Sequence, residues 1–134
     1  MKERAALALL VLCCALPTQA IAQQRAILMG TDEAGERLYV LPDTVVRNDP
    51  AVTVWTRTDA APGDRSTTKV RAQRAIYDCA ARSITVLRAE TYDARGRLAT
   101  RAVIAPDDLE TLVPLDGSPQ QRSLALICSA FLGR

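Results

Sequence analysis

The chain has 134 residues, with 17 Lys and Arg against 15 Asp and Glu, a formal net charge of +2 at pH 7 and no histidine. This length excludes a second large domain, and the charge gives no argument for nucleic acid or an anionic membrane as partner. The lack of histidine excludes a His-dependent catalytic triad and a histidine zinc site. We therefore expect a protein that is not an enzyme and that uses neither a cofactor nor a metal.

The first 22 residues have the layout of a signal peptide. Lys2 and Arg4 form a short basic start, and residues 5–16 form an apolar run that is too short to span a bilayer comfortably. Ala20 and Ala22 then supply the small residues that a leader peptidase needs at positions −3 and −1. We expect cleavage after Ala22, with an uncleaved anchor as the alternative.

The leader lacks the pattern of a lipoprotein. Cys13 and Cys14 lie inside the apolar run, and Leu12 stands before Cys13, where a small residue would precede a lipidated cysteine. The predicted mature product is one domain, residues 23–134, with no transmembrane segment after cleavage.

Short apolar runs and frequent turn residues predict mostly β-structure. Residues 51–58 are rich in β-branched side chains and form the clearest strand. In the predicted strand at residues 82–91, the alternation of side chains places Ile84 and Val86 on one face and Leu87 and Ala89 on the other. Because the connections are short, neighbouring strands should be antiparallel. The predicted strands are residues 25–30, 36–41, 51–58, 67–79, 82–91 and 97–104.

Two connections have features of their own. Residues 42–47 are predicted as a turn with one helical turn. Asp107, Asp108 and Glu110 form the densest acidic cluster, which in principle could hold a hard cation. The favoured interpretation is an exposed turn after Pro106, where the charge of a helical N-terminus favours acidic residues.

The C-terminal segment predicts one helix. Ser118 can accept a hydrogen bond from a free backbone N–H, Pro119 suits the first helical position, and Gln121 completes a capping box. An apolar stripe follows at helical spacing, which should face the sheet. Trp55 and Tyr77 could instead form a ligand-facing aromatic pair, but their valine and isoleucine neighbours favour the core. The expected core positions are Val54, Trp55, Tyr77, Leu124, Ile127 and Phe131.

The two cysteines outside the leader suggest a disulfide. Cys79 ends a strand and Cys128 lies in the apolar stripe, so a bond between them would join the sheet to the helix. Closing such a long loop contributes on the order of 4 kcal/mol in the chain-entropy model. Two free buried thiols are the alternative, and a redox-active pair is disfavoured because no C-x-x-C spacing is present.

Basic residues are concentrated between residues 69 and 101. Four of them could form an arginine strip for sulfated glycans, lipid phosphates or acidic proteins, because guanidinium groups pair well with such anions. The alternative is a set of solvated side chains on the outside of the sheet. With one Phe, one Trp and three Tyr, the chain lacks an aromatic platform for nucleic acid. The strip consists of Arg71, Arg88, Arg97 and Arg101.

Several short segments between residues 38 and 129 match the pattern of a known family. In order, they are Val54-Trp55, Tyr77-Asp78-Cys79, residues 82–89, Thr91-Tyr92-Asp93 with Gly96, Pro114 with Gly117-Ser118-Pro119, and Cys128. On these segments the chain resembles the surface-adhesin protein E-like domains of exported proteins of Gram-negative bacteria.

The resemblance implies an α+β fold. Its members have a curved antiparallel sheet of about six strands, with a C-terminal helix on the concave face held by the cysteine pair. It also implies a binding module without catalysis, whose partners are host matrix or serum proteins. The alternative is a soluble periplasmic envelope protein that binds a small ligand or cell-envelope component. Because the leader departs from the lipoprotein pattern of the family, we expect a periplasmic location, with the cell surface or the exterior as the alternative.

Overall fold

The computed structural model describes residues 20–133, so the basic start, the apolar run and both cysteines of the predicted leader lie outside the described residues. The described part consists of eight strands, three short 3-10 turns and one helix. The strands are β1 (Ile27–Thr31), β2 (Arg37–Val40), β3 (Val46–Asn48), β4 (Ala51–Asp59), β5 (Val70–Asp78), β6 (Ser83–Tyr92), β7 (Leu98–Val103) and β8 (Thr111–Leu112), and the helix is α1 (Pro119–Leu132).

All strands form one antiparallel sheet, whose main path runs β1-β2-β4-β5-β6-β7. The six predicted strands and their antiparallel pairing are therefore confirmed. Two short strands extend the sheet, because β3 pairs with β4 and β8 pairs with β6. They are three and two residues long, which is too short to give a periodic signal in the sequence.

The helix begins and ends with standard capping groups. The Ser118 hydroxyl accepts a hydrogen bond from the backbone N–H of Gln121 at 3.2 Å, and Pro119 occupies the first turn. Gly133 follows the last turn with φ 67°, a left-handed conformation in which glycine has no steric cost. These groups hold α1 in place at both ends.

One apolar cluster lies between α1 and the sheet. Its sheet residues come from β2, β4, β5 and β6, and Phe131 packs partly buried against them. Burial of these side chains is the main force that holds the helix on this face, which we call the helix face. The buried residues are Val40, Val52, Val54, Ala75, Tyr77, Ile84, Leu124, Ile127 and Cys128.

A disulfide between Cys79 and Cys128 joins the end of β5 to α1, with a Cα–Cα distance of 5.7 Å. The predicted pairing is therefore confirmed. Forty-nine positions separate the two cysteines, and closing a loop of that length contributes on the order of 4 kcal/mol in the chain-entropy model. The bond reinforces the apolar contact between helix and sheet.

A second apolar cluster lies on the opposite face of the sheet and contains Trp55. Its buried members are Leu41, Trp55, Ala72 and Tyr92, and the chain before β1 packs against them through Ala20, Ile21, Ala22 and Ala26. The Arg57 Nη1 also donates to the carbonyl oxygen of Ala22 at 3.0 Å. We call this the back face.

A β-bulge in β6 corrects one predicted face assignment. Ala75 pairs with Val86, but the residue before Ala75 pairs with Arg88, so Leu87 is an extra residue in β6. The extra residue shifts the alternation, and Ala89 lies on the same face as Val86. The prediction that Ala89 and Val86 face opposite sides was wrong, because strict alternation cannot anticipate a bulge.

Candidate functional site

A groove lies on the helix face, beside α1. It has a volume of about 620 Å³, which is within the range of small-molecule sites. Its floor consists of two neighbouring cross-strand rows of β4, β5 and β6. These are Thr56, Gln73 and Ala89 in one row and Thr58, Arg71 and Thr91 in the other.

The β1-β2 hairpin and the N-terminal half of α1 form the two walls of the groove. Glu36 and Leu38 line the hairpin side, and Gln120 and Ser123 line the helix side. The walls approach each other at Gly30, where a Cβ would lie 3.7 Å from the Leu126 Cδ1 atom. That is an ordinary van der Waals distance, so the hairpin and the helix are neighbours at this point.

Arg71, in the second row of the floor, forms an ion pair with Glu36 of the hairpin. The Arg71 Nη2 contacts the Glu36 Oε1 at 2.7 Å and the Oε2 at 2.8 Å. The Asp32 Oδ1 accepts a hydrogen bond from the Glu36 backbone N–H at 2.9 Å, which fixes the turn that carries Glu36. Arg71 itself is exposed, so its guanidinium can be reached from the groove.

Tyr77 lies beneath the groove and is fully buried. Its hydroxyl is 3.4 Å from the Thr56 Oγ1 and 3.5 Å from the Gln73 Nε2. Burial raises the pKa of the Tyr77 phenol, because the charged phenolate would lose its hydration. The phenol therefore stays protonated at neutral pH and supports the floor as a neutral hydrogen-bonding group.

The second candidate surface is the sheet edge made by β7 and β8. All six residues of β7 are exposed. The Ile104 N–H donates to the Leu87 carbonyl oxygen at 3.0 Å, and donors alternate along an antiparallel strand. The N–H groups of Arg101 and Val103 therefore point away from β6.

Exposed apolar side chains follow this edge. Val103 is 66% exposed and Leu115 is 81% exposed, and further exposed apolar residues lie between them. A group of apolar side chains in water is typical of an interaction surface. The residues between them are Leu109, Leu112 and Val113.

The four residues of the predicted arginine strip do not share one face. Arg71 pairs with Thr91 in the sheet and lies on the helix face. Arg88 and Arg101 lie on the back face, where the Arg88 guanidinium is 5.9 Å from the Trp55 ring centroid. Arg97 lies at the hairpin, where its Nε contacts the Asp93 Oδ2 at 2.8 Å.

Arg101 is a partner of a buried carboxylate, Glu90, on the back face. Its Nε donates to the Glu90 Oε1 at 2.9 Å, and the Tyr92 hydroxyl donates to the Glu90 Oε2. Glu90 is only 3% exposed, so both contacts compensate for the loss of its hydration. Burial and the neighbouring carboxylate raise the pKa of the Tyr92 phenol to about 12.

The acidic cluster near the C-terminal helix lies in an exposed turn. Asp107 and Asp108 belong to a 3-10 turn, Pro106–Asp108, and Glu110 is also exposed. Within residues 20–133, no group of three or more His, Cys, Asp or Glu side chains could hold a metal ion.

The groove was not predicted from the sequence. A signal existed, because Val52, Val54, Thr56 and Thr58 lie on one face of β4 and change from apolar to hydroxyl side chains halfway along the strand. The valines belong to the apolar cluster against α1, and the threonines line the groove. Among the described residues, no helix has the length and apolarity to cross a membrane.

Two solved structures of Haemophilus influenzae protein E are similar to this chain. One has a TM-score of 0.51 at 17% sequence identity and covers 72% of this chain and 80% of that protein. Its selenomethionine form has a TM-score of 0.54 at 15% sequence identity and covers 81% of this chain and 90% of that protein. At these identities the likeness shows the fold. No significant match to a curated protein was found.

The family comparison covers most of the described chain. A family model described as surface-adhesin protein E matches residues 27–129, which include all eight strands and most of α1. The match includes both cysteines of the disulfide and both candidate surfaces. It indicates an adhesin-like exported module. The chain belongs to the surface-adhesin protein E family.

Proposed function

We propose that this protein is a non-enzymatic binding module that holds a protein partner at the edge formed by β7 and β8. The observation that carries the proposal is the exposure of β7 along its whole length. An edge strand of this kind can accept a strand from another chain, with main-chain hydrogen bonds as the source of affinity. The proposed partner class is host matrix or serum proteins, which the resemblance found in the sequence implies, and the family's description as a surface adhesin supports a protein partner outside the cell.

The groups at the edge suit such a partner. The outward N–H groups of Arg101 and Val103 are two residues apart, which is the spacing at which an added strand forms its hydrogen bonds. The exposed apolar side chains of Val103, Leu112 and Val113 lie along the same edge and would lose water on contact. Backbone pairing and apolar burial would therefore act together.

The test is a pair of substitutions at one position. Val103→Pro removes an outward N–H and leaves the bonds to β6 intact, and proline is tolerated at such edge positions. Val103→Ala shortens the side chain but keeps the N–H. Against a panel of immobilised matrix and serum proteins, we expect Val103→Pro to lose about tenfold or more in affinity and Val103→Ala clearly less. Equal binding by both variants and the parent would overturn strand addition.

The proposed location of this activity is outside the cytoplasm, after removal of residues 1–22. Protease treatment of intact cells distinguishes a protein displayed on the surface from one kept in the periplasm. Loss of the protein would support an adhesin that meets host proteins directly. Protection would place the protein in the periplasm and favour the second candidate function.

That second candidate is the binding of a small ligand or cell-envelope component in the periplasm. The groove on the helix face supports it, because its volume lies in the range of small-molecule sites and its floor offers a few hydroxyl and amide groups that could orient a ligand. Binding at the groove and binding at β7 use different elements, so a variant of one surface should leave the other unchanged.

A further inference from the structure

We propose that the groove binds an amide-linked ligand with a free terminal carboxylate, such as the end of a peptide. The inference rests on the second candidate function and names its ligand class. Arg71 would hold the carboxylate, and the hydroxyl and amide side chains of the floor would hold the adjoining amide groups.

The first observation is the contact that Arg71 already makes. Both oxygens of the Glu36 carboxylate lie within 2.8 Å of the Arg71 Nη2, so a carboxylate fits at this point of the groove. Both contacts use the same nitrogen, and within residues 20–133 no other partner is seen for the Arg71 Nε or Nη1. Arginine can hold a carboxylate through two nitrogens at once, so a second carboxylate can bind there.

The second observation is the chemistry of the floor beside Arg71. Thr58 and Thr91 flank it in the same row, and Thr56 and Gln73 stand in the next. Hydroxyl and amide groups each donate and accept hydrogen bonds, which matches the N–H and C=O groups of a peptide. Thr56 and Thr91 already have hydroxyl partners in Tyr77 and Thr100, and each hydroxyl oxygen keeps a lone pair that can accept from a ligand N–H.

Two other ligand classes fit less well. A dianion would face both Asp32 and Glu36, which line the same groove as Arg71. A sugar ring usually stacks on an exposed aromatic face, and the aromatic residue that lines the groove, Tyr77, is fully buried. A ligand with one negative charge and several amides remains the best match.

The position of Glu36 beside the expected ligand carboxylate gives a direct test. Calorimetry of the purified exported protein would use N-acetyl-trialanine as the acid and as its C-terminal amide. We expect the acid to bind about tenfold more tightly than the amide, because only the acid can form a charge-assisted hydrogen bond with Arg71. Arg71→Gln should abolish this preference. Glu36→Gln should tighten binding of the acid several-fold, because it removes a like charge next to the bound carboxylate.

Two controls separate binding from folding. Arg95→Gln changes the same charge in an exposed turn away from the groove and should leave affinity unchanged. Melting temperatures of Arg71→Gln and Glu36→Gln should stay close to the parent, since each partner is at or near the surface. A gain of affinity in Glu36→Gln cannot result from a loss of structure.

The outcomes decide between the possibilities. No binding of the acid, equal binding of acid and amide, or weaker binding by Glu36→Gln would overturn the proposal. If the acid is preferred, a trialanine that ends in two D-residues identifies the source of the ligand. Tighter binding than that of the all-L peptide indicates a cell-wall peptide. Weaker binding indicates a protein C-terminus. Val103→Pro should bind these peptides as the parent does, so failure at β7 and failure at the groove are distinguishable.

Discussion

Trp55 and Tyr77 lie on opposite faces of the sheet, and each is at the centre of a separate apolar cluster. Tyr77 pairs with Val52 and faces α1, whereas Trp55 is three residues further along β4 and faces the other side. The helix covers the first cluster, and residues 20–26 cover part of the second in the uncleaved chain. Of the contacting residues in this segment, Ala26 remains after the proposed cleavage. The sheet is therefore the middle layer of the fold, with both faces contributing to stability.

Replacing Trp55 tests the contribution of the back face. Trp55→Ala should lower the free energy of unfolding by about 3–5 kcal/mol, because it removes a large buried side chain and leaves a cavity. Urea denaturation followed by circular dichroism measures the change. Leu115→Ala, at an exposed position, should stay within about 0.5 kcal/mol of the parent. A small loss for Trp55→Ala would mean that the back face adds little to stability.

Removing the disulfide tests how the helix is held. Cys79→Ser should destabilise the oxidised protein by about 2–5 kcal/mol, because the unfolded chain regains its freedom. The double variant Cys79→Ser with Cys128→Ser should lose about as much as either single variant, since all three remove the same bond. Melting temperatures with and without reductant provide the measurement. An unchanged melting temperature in Cys79→Ser would contradict the stabilising role.

The buried Glu90 gives a prediction about ion pairs. Arg101→Ala should cost about 1–3 kcal/mol of unfolding free energy, because it leaves a buried carboxylate with one partner fewer. Arg97→Ala removes a comparable contact to Asp93, but this pair lies in an exposed turn and should cost clearly less than Arg101→Ala. Denaturant titrations of both variants compare them directly. Similar losses would show that burial of Glu90 does not matter.

Stability should fall at alkaline pH because of Tyr92. Its pKa is raised to about 12 in the folded protein, above the ordinary value of 10. The folded state therefore holds the proton more tightly than the unfolded state, so this contribution is complete below pH 10 and is lost as pH rises towards 12. Tyr92→Phe should make the decline between pH 10 and 12 less steep in denaturation curves. If the loss of stability between pH 10 and 12 is the same in Tyr92→Phe as in the parent, it is caused by other groups, such as Tyr77.

Features that depend on a local pattern could be predicted from the sequence. The start of α1 follows from Ser118 and Pro119, and β4 follows from its β-branched residues, because both depend on neighbours in the chain. The bulge at Leu87 could not be predicted, since it depends on how β6 meets β5. The short strands β3 and β8 form only because β4 and β6 offer partners to them.

The candidate site was harder to predict than the fold. The arginine strip was inferred from charge density along the chain, but strand register places Arg71 on one face and Arg88 on the other. The groove joins residues from a hairpin, three strands and a helix, and its pairing of Arg71 with Glu36 spans 35 positions. Such contacts depend on tertiary structure and leave no local signal.

Because α1 follows the whole sheet in the chain, synthesis imposes an order on the formation of their contact. Cys79 is made long before its partner, so the thiol has no native partner until residue 128 has also crossed the membrane of an exporting cell. Until then, the apolar residues of the helix face, including Val54 and Ile84, have no cover. A truncated chain that ends before Pro119 would present both a free Cys79 thiol and an open apolar surface. We expect such a chain to bind chaperones and to form mixed disulfides rather than to fold as a smaller domain.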